Sequence, residues 1–281
     1  MSEALILLKK FQSAKILSPV AVRLTQLISG ENSSIQEFEK VIKMDPTLVI
    51  RLLKLVNSSF FGLKQKVDSI SRAVVFVGTR NLRNMVVTTA LNDVFSHPPP
   101  PEGVFSRPRL WLHCAAVSVC SKMISERIFG KKGEDVFLCG ILHDIGMIVL
   151  DQVARDRFVH VCSTYEPDAG PFMEHERAAM GTDHCELGYL LAEGWNLPAE
   201  VVEGIRYHSD TEKETKPSSI LGIVQIAHYL TSRFGYTALP GTNTTLPGGL
   251  TAYLRENSTD YKALVADLPD ELANAKDLYE N

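Results

Sequence analysis

From residue 45 onward the apolar positions of this chain recur at spacings of three and four, the pattern of helices that bury one face. Leu48, Leu52, Leu55 and Val56 form one such stripe in TLVIRLLKLVN. Asp45-Pro46 ahead of it offers an N-cap acid and a proline suited to the first helical position. Ser69 is placed to cap the next helix, SISRAVVFVG, which Gly78 should end, and a further helix is predicted from Thr79 to Phe95. The segment AVVFV has strand propensity taken alone, but its surroundings are helical and it is assigned to helix. Helices are also predicted near 107–130, 134–149, 151–165, 173–195, 198–208 and 217–234. Residues 235–249 read as a turn-rich loop, and 250–281 as an acidic tail with one or two amphipathic helices.

These elements predict an all-α fold. The run HPPPPEG over 97–103 cannot continue a helix and divides the chain. The expected organisation is an N-terminal helical subdomain over 1–97, a proline-rich connection over 98–106, a helical core over 107–234, and a loop with an acidic tail over 235–281.

Composition narrows the class. With 45% hydrophobic and 22% charged residues the chain has the make-up of a globular protein, and disorder is not expected over most of it. The net charge of −4, with no concentrated basic stretch, argues against nucleic acid as a partner. The apolar run in MSEALILLKKFQSAKIL is shorter than a membrane span and has no small-residue cleavage site after a basic start. It is expected to form an opening helix, and no membrane association is expected. Cys114, Cys120, Cys139, Cys162 and Cys185 are an odd set without C-x-x-C spacing, so neither a disulfide framework nor a thiolate zinc site is expected, and a cytoplasmic location fits. Cys185 is read as a small buried hydrophobe.

The candidate chemistry lies in His143-Asp144, set inside the apolar stretch VFLCGILHDIGMIVL. A buried carboxylate or imidazole needs a partner, because leaving it unmatched costs several kcal/mol. Four other histidines fall on or beside apolar helix faces. His113 lies with Val117, Cys120 and Ile124, and His184 with Leu187, Leu191 and Trp195. His208 follows Val201, Gly204 and Ile205, while His228 sits at the edge of a face made by Ile223, Ala227 and Leu230. His97, His160 and His175 have polar or proline-rich neighbours and are expected at the surface. A His-Asp pair with single histidines on separate helices is a layout for an imidazole and carboxylate metal centre, with iron, manganese, nickel or zinc as the candidate divalent ions. The same residues can instead form a hydrogen-bonded core network without metal.

Elsewhere, Asn57 to Gly62 reads as a helix stop with Phe60 and Phe61 packed in the core, or alternatively as a partner-binding knuckle. Arg80 and Arg83, at the start of a helix, are expected to be solvated.

Both halves resemble the HDOD family, bacterial signalling modules related to the HD superfamily of metal-dependent phosphohydrolases. The resemblance lies in SPVAVRLTQLI, MDPTLVIRLLKLVNSSFFG and SISRAVVFVGTRNLRNMVV, and then in LWLHCAAVS, FLCGILHDIGMIVL, GTDHCELGYLLAEGWNLPAEVVEGIRYH and IVQIAHYL, spanning residues 15 to 234. It implies an N-terminal helical region packed on an HD-like helical core. It also implies that His113, His143 and Asp144 match the first histidine and the signature pair, and that His184 and His208 match later histidines of the phosphodiesterase branch. Met147 stands where the superfamily has a phosphate-side lysine, Ser209 where it has the second of two histidines, and His228 where it has the last metal-binding aspartate.

The expected metal ligands are therefore His113, His143, Asp144 and His228, with His184 and His208 as weaker candidates. A dication on the first four would keep one net positive charge that a second carboxylate would have neutralised. The resemblance and these departures point to a regulatory module with a degenerate HD-type site, more a non-enzyme than an enzyme, that answers to a signalling protein or a small regulatory ligand. The alternative is a metal-dependent phosphohydrolase acting on a nucleotide or cyclic dinucleotide, with Asp144, His184 and His208 in catalytic roles.

Overall fold

Every regular element among the described residues is a helix. The computed structural model describes residues 2–13, 23, 34–58, 61, 63, 65–95, 105–167, 170–242 and 244–275. The proline run at 97–103 with His97, all of SPVAVRLTQLI except Arg23, and Ser59, Phe60 and Gly62 of the proposed knuckle lie outside them.

The first half contains α1 (Glu3–Ser13), α2 (Ile35–Ile42), α3 (Pro46–Val56) and α4 (Ile70–Phe95). Asp45 caps α3 as its sequence predicts, its Oδ1 accepting from Leu48 N at 3.1 Å, and Leu48, Leu52, Leu55 and Val56 are all buried. Asn57 ends the helix by donating through Nδ2 to Leu53 O and Val67 O while its Oδ1 accepts from Val67 N at 2.8 Å. Gly78, at φ 79° and ψ 160°, breaks α4 where a stop is predicted, and the chain then resumes its helical course.

Beyond that kink α4 packs on the second half, and this corrects the reading of Arg83 as solvated, while Arg80 keeps a side chain 62% exposed. Arg83 is only 4% exposed and pairs with Asp135. Arg80 approaches the same carboxylate at 3.1 Å, and Asn84 donates to Glu134 O at 2.6 Å. The acidic first turn of the facing helix explains the change, because Glu134 and Asp135 begin it.

The second half is built from α5 (Arg107–Met123), which runs into a π-helical turn at Ile124–Ile128, then α6 (Glu134–Leu142), α7 (Ile145–Val153), α8 (Arg155–Thr164), α9 (Phe172–Met180), α10 (His184–Gly194), α11 (Ala199–Tyr207) and α12 (Ile220–Arg233). Two predicted helices are each divided. The one over 134–149 is interrupted at His143-Asp144. The one over 173–195 stops at Gly181, left-handed at φ 74°, and restarts where Asp183 accepts from Glu186 N at 2.8 Å. The stretch Glu134–Val153 has the length and apolar character of a membrane span, but 89% of it is buried inside the fold.

Helices α5, α6, α7, α10, α11 and α12 pack around a common centre. The opening helix α1 lies on α7 and α10, with Leu7, Leu8 and Phe11 buried. The C-terminal segment forms three short helices where one or two were expected: α13 (Gly248–Glu256), α14 (Ser258–Ala266) and α15 (Leu268–Asn274). Buried Tyr261, Leu264, Val265, Leu268 and Leu272 give it an apolar face, and α15 rests on α5.

Candidate metal centre

Adjacent side chains on an unbroken helix start out about 100° apart, so His143 and Asp144 diverge unless the local backbone or their rotamers bring them together. The break between α6 and α7, with Asp144 at φ −101° and ψ 14°, solves this. His143 caps the end of α6, Asp144 precedes α7, and Asp144 Oδ2 lies 3.3 Å from His143 Nε2.

Four imidazoles converge on Asp144. His113 Nε2 is 3.4 Å from Oδ2, while His184 Nε2 and His208 Nε2 are 3.5 and 3.2 Å from Oδ1. His228 completes the group, its ring centroid 5.0 Å from that of His113 and 5.1 Å from that of His143. The six residues expected at the site thus fall in one cluster. His160 is exposed and His175 bonds to Thr164 at 3.1 Å, both outside it. Arg206 also stays outside, stacked on Tyr189 at 4.1 Å.

The second nitrogen of each ring fixes its tautomer. Nδ1 of His113 donates to Tyr236 O at 2.8 Å, that of His143 to Gly140 O at 2.7 Å, and that of His208 to Ile205 O at 2.8 Å. Nδ1 of His184 donates to Glu176, whose carboxylate also accepts from His184 N at 3.2 Å. Carbonyls and carboxylates only accept, so these Nδ1 atoms carry the protons and a neutral ring turns its Nε2 lone pair inward. His113 Nε2 and His143 Nε2 then face each other at 3.1 Å beside an anionic oxygen, an arrangement that demands a positive charge between them. His228 Nδ1 is buried with no hydrogen-bond partner among the described residues. Histidines held through one nitrogen by a carbonyl or carboxylate, with the other nitrogen directed at a shared point, are a donor set that could hold a metal ion. The residues fit the ion that the family resemblance implies, and His113, His143, Asp144 and His228 would hold it.

Without an ion, burial and the neighbouring charges shift the rings in opposite directions. Burial holds His143 down to about 4 against the pull of Asp144, and burial together with the His113 and His143 charges holds His228 well below the ordinary imidazole value. Burial also opposes protonation of His208, yet the neighbouring Cys185 and Asp144 raise it to about 10. Burial would raise Asp144, but His143, His113 and His208 hold its carboxyl well below the usual carboxylate range.

Sequence reasoning missed two members of the site. Glu176 is fully buried behind His184, and its signal is its position midway between Phe172 and Met180 on the inward face of α9. Cys185, read as a packing residue, has its Sγ 3.4 Å from His184 Nε2. Above the cluster a cavity of about 340 Å³ is lined by His113, Asp144, His184 and His228 at its floor, by Met147 and Ser209 beside them, and by hydroxyls including Ser232, Thr237 and Thr242.

Comparison with known proteins agrees with this architecture. A protein of Treponema pallidum (strain Nichols), described only as uncharacterized, is 27% identical over 231 residues, covering 76% of this chain; the chain spans 41% of that relative's length. The crystal structure of an HDOD domain protein of unknown function from Geobacter sulfurreducens superposes with a TM-score of 0.65 at 25% identity, covering 94% of this chain and 97% of that one. A Marinobacter aquaeolei VT8 protein whose name proposes a role in signal transduction shares the fold at a TM-score of 0.71 and 21% identity, over 94% of this chain and 60% of the other. The HDOD domain model itself matches residues 15–211, and the chain belongs to the HDOD family.

Proposed function

We propose that this chain is a regulatory HDOD module in which a histidine-rich metal centre forms the floor of a binding cavity for a small ligand and does not hydrolyse phosphodiesters. One observation carries the reading: no lysine or arginine is among the described residues lining the cavity. Met147 occupies the wall beside Asp144, where the family resemblance places a phosphate-side lysine, and a thioether cannot neutralise a phosphoryl oxygen. Ser209 likewise offers a hydroxyl where a further imidazole would extend the donor set.

A bound dication would act as a Lewis acid and lower the pKa of a coordinated water. The chain's own residues supply orientation: Tyr236 O and Gly140 O hold the His113 and His143 rings, and Asp144 provides the central negative charge. The hydroxyls of Ser232, Thr237 and Thr242 suit a polar ligand recognised by hydrogen bonds more than by charge pairing. The signal-transduction name of the Marinobacter protein supports a regulatory role, as does the loss of the phosphate-side cation.

The test is hydrolysis of a generic phosphodiester by manganese- and iron-loaded protein, with Asp144→Ala as the control. The expected result is no turnover above the control. Turnover that vanishes in Asp144→Ala would replace this reading with a metal-dependent phosphohydrolase.

A further inference from the structure

The two oxygens of Asp144 divide the donor atoms into two sets. Oδ2 faces His113 and His143, with His228 alongside, whereas Oδ1 faces His184 and His208. Cys185 joins the second set. Its Sγ lies 3.4 Å from His184 Nε2 and 3.9 Å from His208 Nε2, and its side chain is buried. A four-coordinate ion with sulfur at about 2.3 Å and nitrogen at about 2.0–2.1 Å needs neighbouring donor atoms about 3.3–3.6 Å apart. The two sulfur–nitrogen distances and the 3.5 and 3.2 Å from Oδ1 to the same nitrogens lie within a few tenths of an ångström of those edges.

We propose that Cys185 is a metal ligand which, with His184 Nε2, His208 Nε2 and Asp144 Oδ1, forms a second, sulfur-containing metal position sharing Asp144 with the first. The proposal deepens the functional reading above and rests on its premise that the cluster binds a transition metal. The four donors come from three places in the fold: the start of α10, the end of α11 and the break before α7. Glu176 orients the His184 ring and Ile205 O the His208 ring, so two of the four ligands are set before an ion arrives.

Loading requires only proton exchange. The S–H bond of Cys185 breaks and the sulfur keeps its electron pair for the ion, any proton on His184 Nε2 or His208 Nε2 leaves in the same way, and all of these protons pass to solvent, with no change of oxidation state. A thiolate with two imidazoles favours zinc, ferrous iron or cobalt over magnesium, calcium or manganese. Four protein donors also close the coordination sphere, which makes this position a structural one. Among the described residues no other cysteine groups with histidines in this way.

Cobalt(II) gives a direct readout. Chelator-stripped whole chain is titrated with cobalt and followed by absorption, for wild type, Cys185→Ser and a control, Cys114→Ala. The expected result is a near-ultraviolet thiolate-to-cobalt charge-transfer band in wild type and Cys114→Ala that is lost in Cys185→Ser, whose second cobalt equivalent weakens about tenfold or more. Cobalt ligand-field bands without the charge-transfer band in wild type, or a band that survives in Cys185→Ser, would overturn the sulfur position and leave the imidazole centre standing. Failure of wild type to bind any cobalt would overturn both. A measurement on wild type alone covers the case of a misfolded variant: X-ray absorption of zinc-loaded protein should contain a zinc–sulfur shell at about 2.3 Å, and a pure nitrogen and oxygen shell refutes the proposal.

Discussion

Gly146 lies directly against the backbone of His184: a Cβ built at position 146 would stand 2.7 Å from the His184 carbonyl carbon, with the oxygen nearer still. This approach brings the start of α10 onto α7 and so carries His184 to the Asp144 carboxylate. Gly146→Ala should therefore force the two helices apart. We expect a loss of about 1–3 kcal/mol in urea unfolding and a weaker metal equivalent at the His184 side. Unchanged stability together with unchanged metal affinity would show that the contact does not position the site.

Metal removal should separate Asp144 from the other residues of the cluster. Wild type stripped of metal is expected to unfold at a lower temperature than loaded protein, with the gap growing as free metal rises above its dissociation constant. Asp144→Ala should show almost no such gap, since both donor sets lose their shared anion. A gap in the variant as large as that of wild type contradicts the central role given to this carboxylate.

Glu176 works through His184 and never faces the cavity. Glu176→Ala leaves the His184 Nδ1 proton without its acceptor, and metal affinity is expected to fall by about 10–100-fold. Glu176→Gln retains an acceptor oxygen and should recover part of that loss. Isothermal titration with zinc distinguishes this positioning role from simple packing, for which Ala and Gln would not differ in the same order.

The metal-free protein should have a stability maximum near neutrality. His143 is held down to about 4 in the fold, against an ordinary value of 6.5, so between those pH values the unfolded chain takes up a proton that the folded one refuses. Its contribution to stability is therefore lost as pH falls from 6.5 towards 4. His208, raised to about 10, has the opposite sign: its contribution is complete below 6.5 and is lost as pH rises towards 10. Urea midpoints of stripped protein measured from pH 4 to 10 should pass through a maximum. A profile that climbs steadily through pH 9 would contradict the assignment for His208.

Arg83 ties the two halves together. Arg83→Ala leaves Asp135 without its buried partner and removes the cation from a site 4% exposed. Because Asp135 retains some solvent contact, the expected destabilisation is about 2–3 kcal/mol, below that of a fully buried pair. Differential scanning calorimetry should register it as an earlier transition; an unchanged transition would mean that packing of α4 alone joins the halves.

The histidine positions and helix faces were legible because burial imposes a period on sequence. His113 and His184 each occupy a place that an apolar residue would otherwise take, so their inward direction could be read before any coordinates. Glu176 was harder to see, since His175 and Arg177 surround it and only its spacing from Phe172 and Met180 marks it. Cys185 gave no signal: a thiol on a buried face looks the same whether it packs or binds. The breaks at His143-Asp144 and Gly181 divide single periodic runs, and a hydrophobic pattern continues across both. Arg83 looked solvated because the partner that buries it lies 52 residues away.

Three of the four rings around Asp144 are aimed by main-chain carbonyls, those of Gly140, Tyr236 and Ile205, and only His184 is aimed by a side chain. A carbonyl survives any substitution at its own residue, so mutation can alter those three anchors only by bending the chain that bears them. A side-chain change at Tyr236 therefore leaves the heading of His113 alone, whereas its neighbour Gly235, left-handed at φ 84°, is a place where a substitution would bend the chain that bears the anchor. At Glu176, by contrast, a single codon change suffices to release a ring.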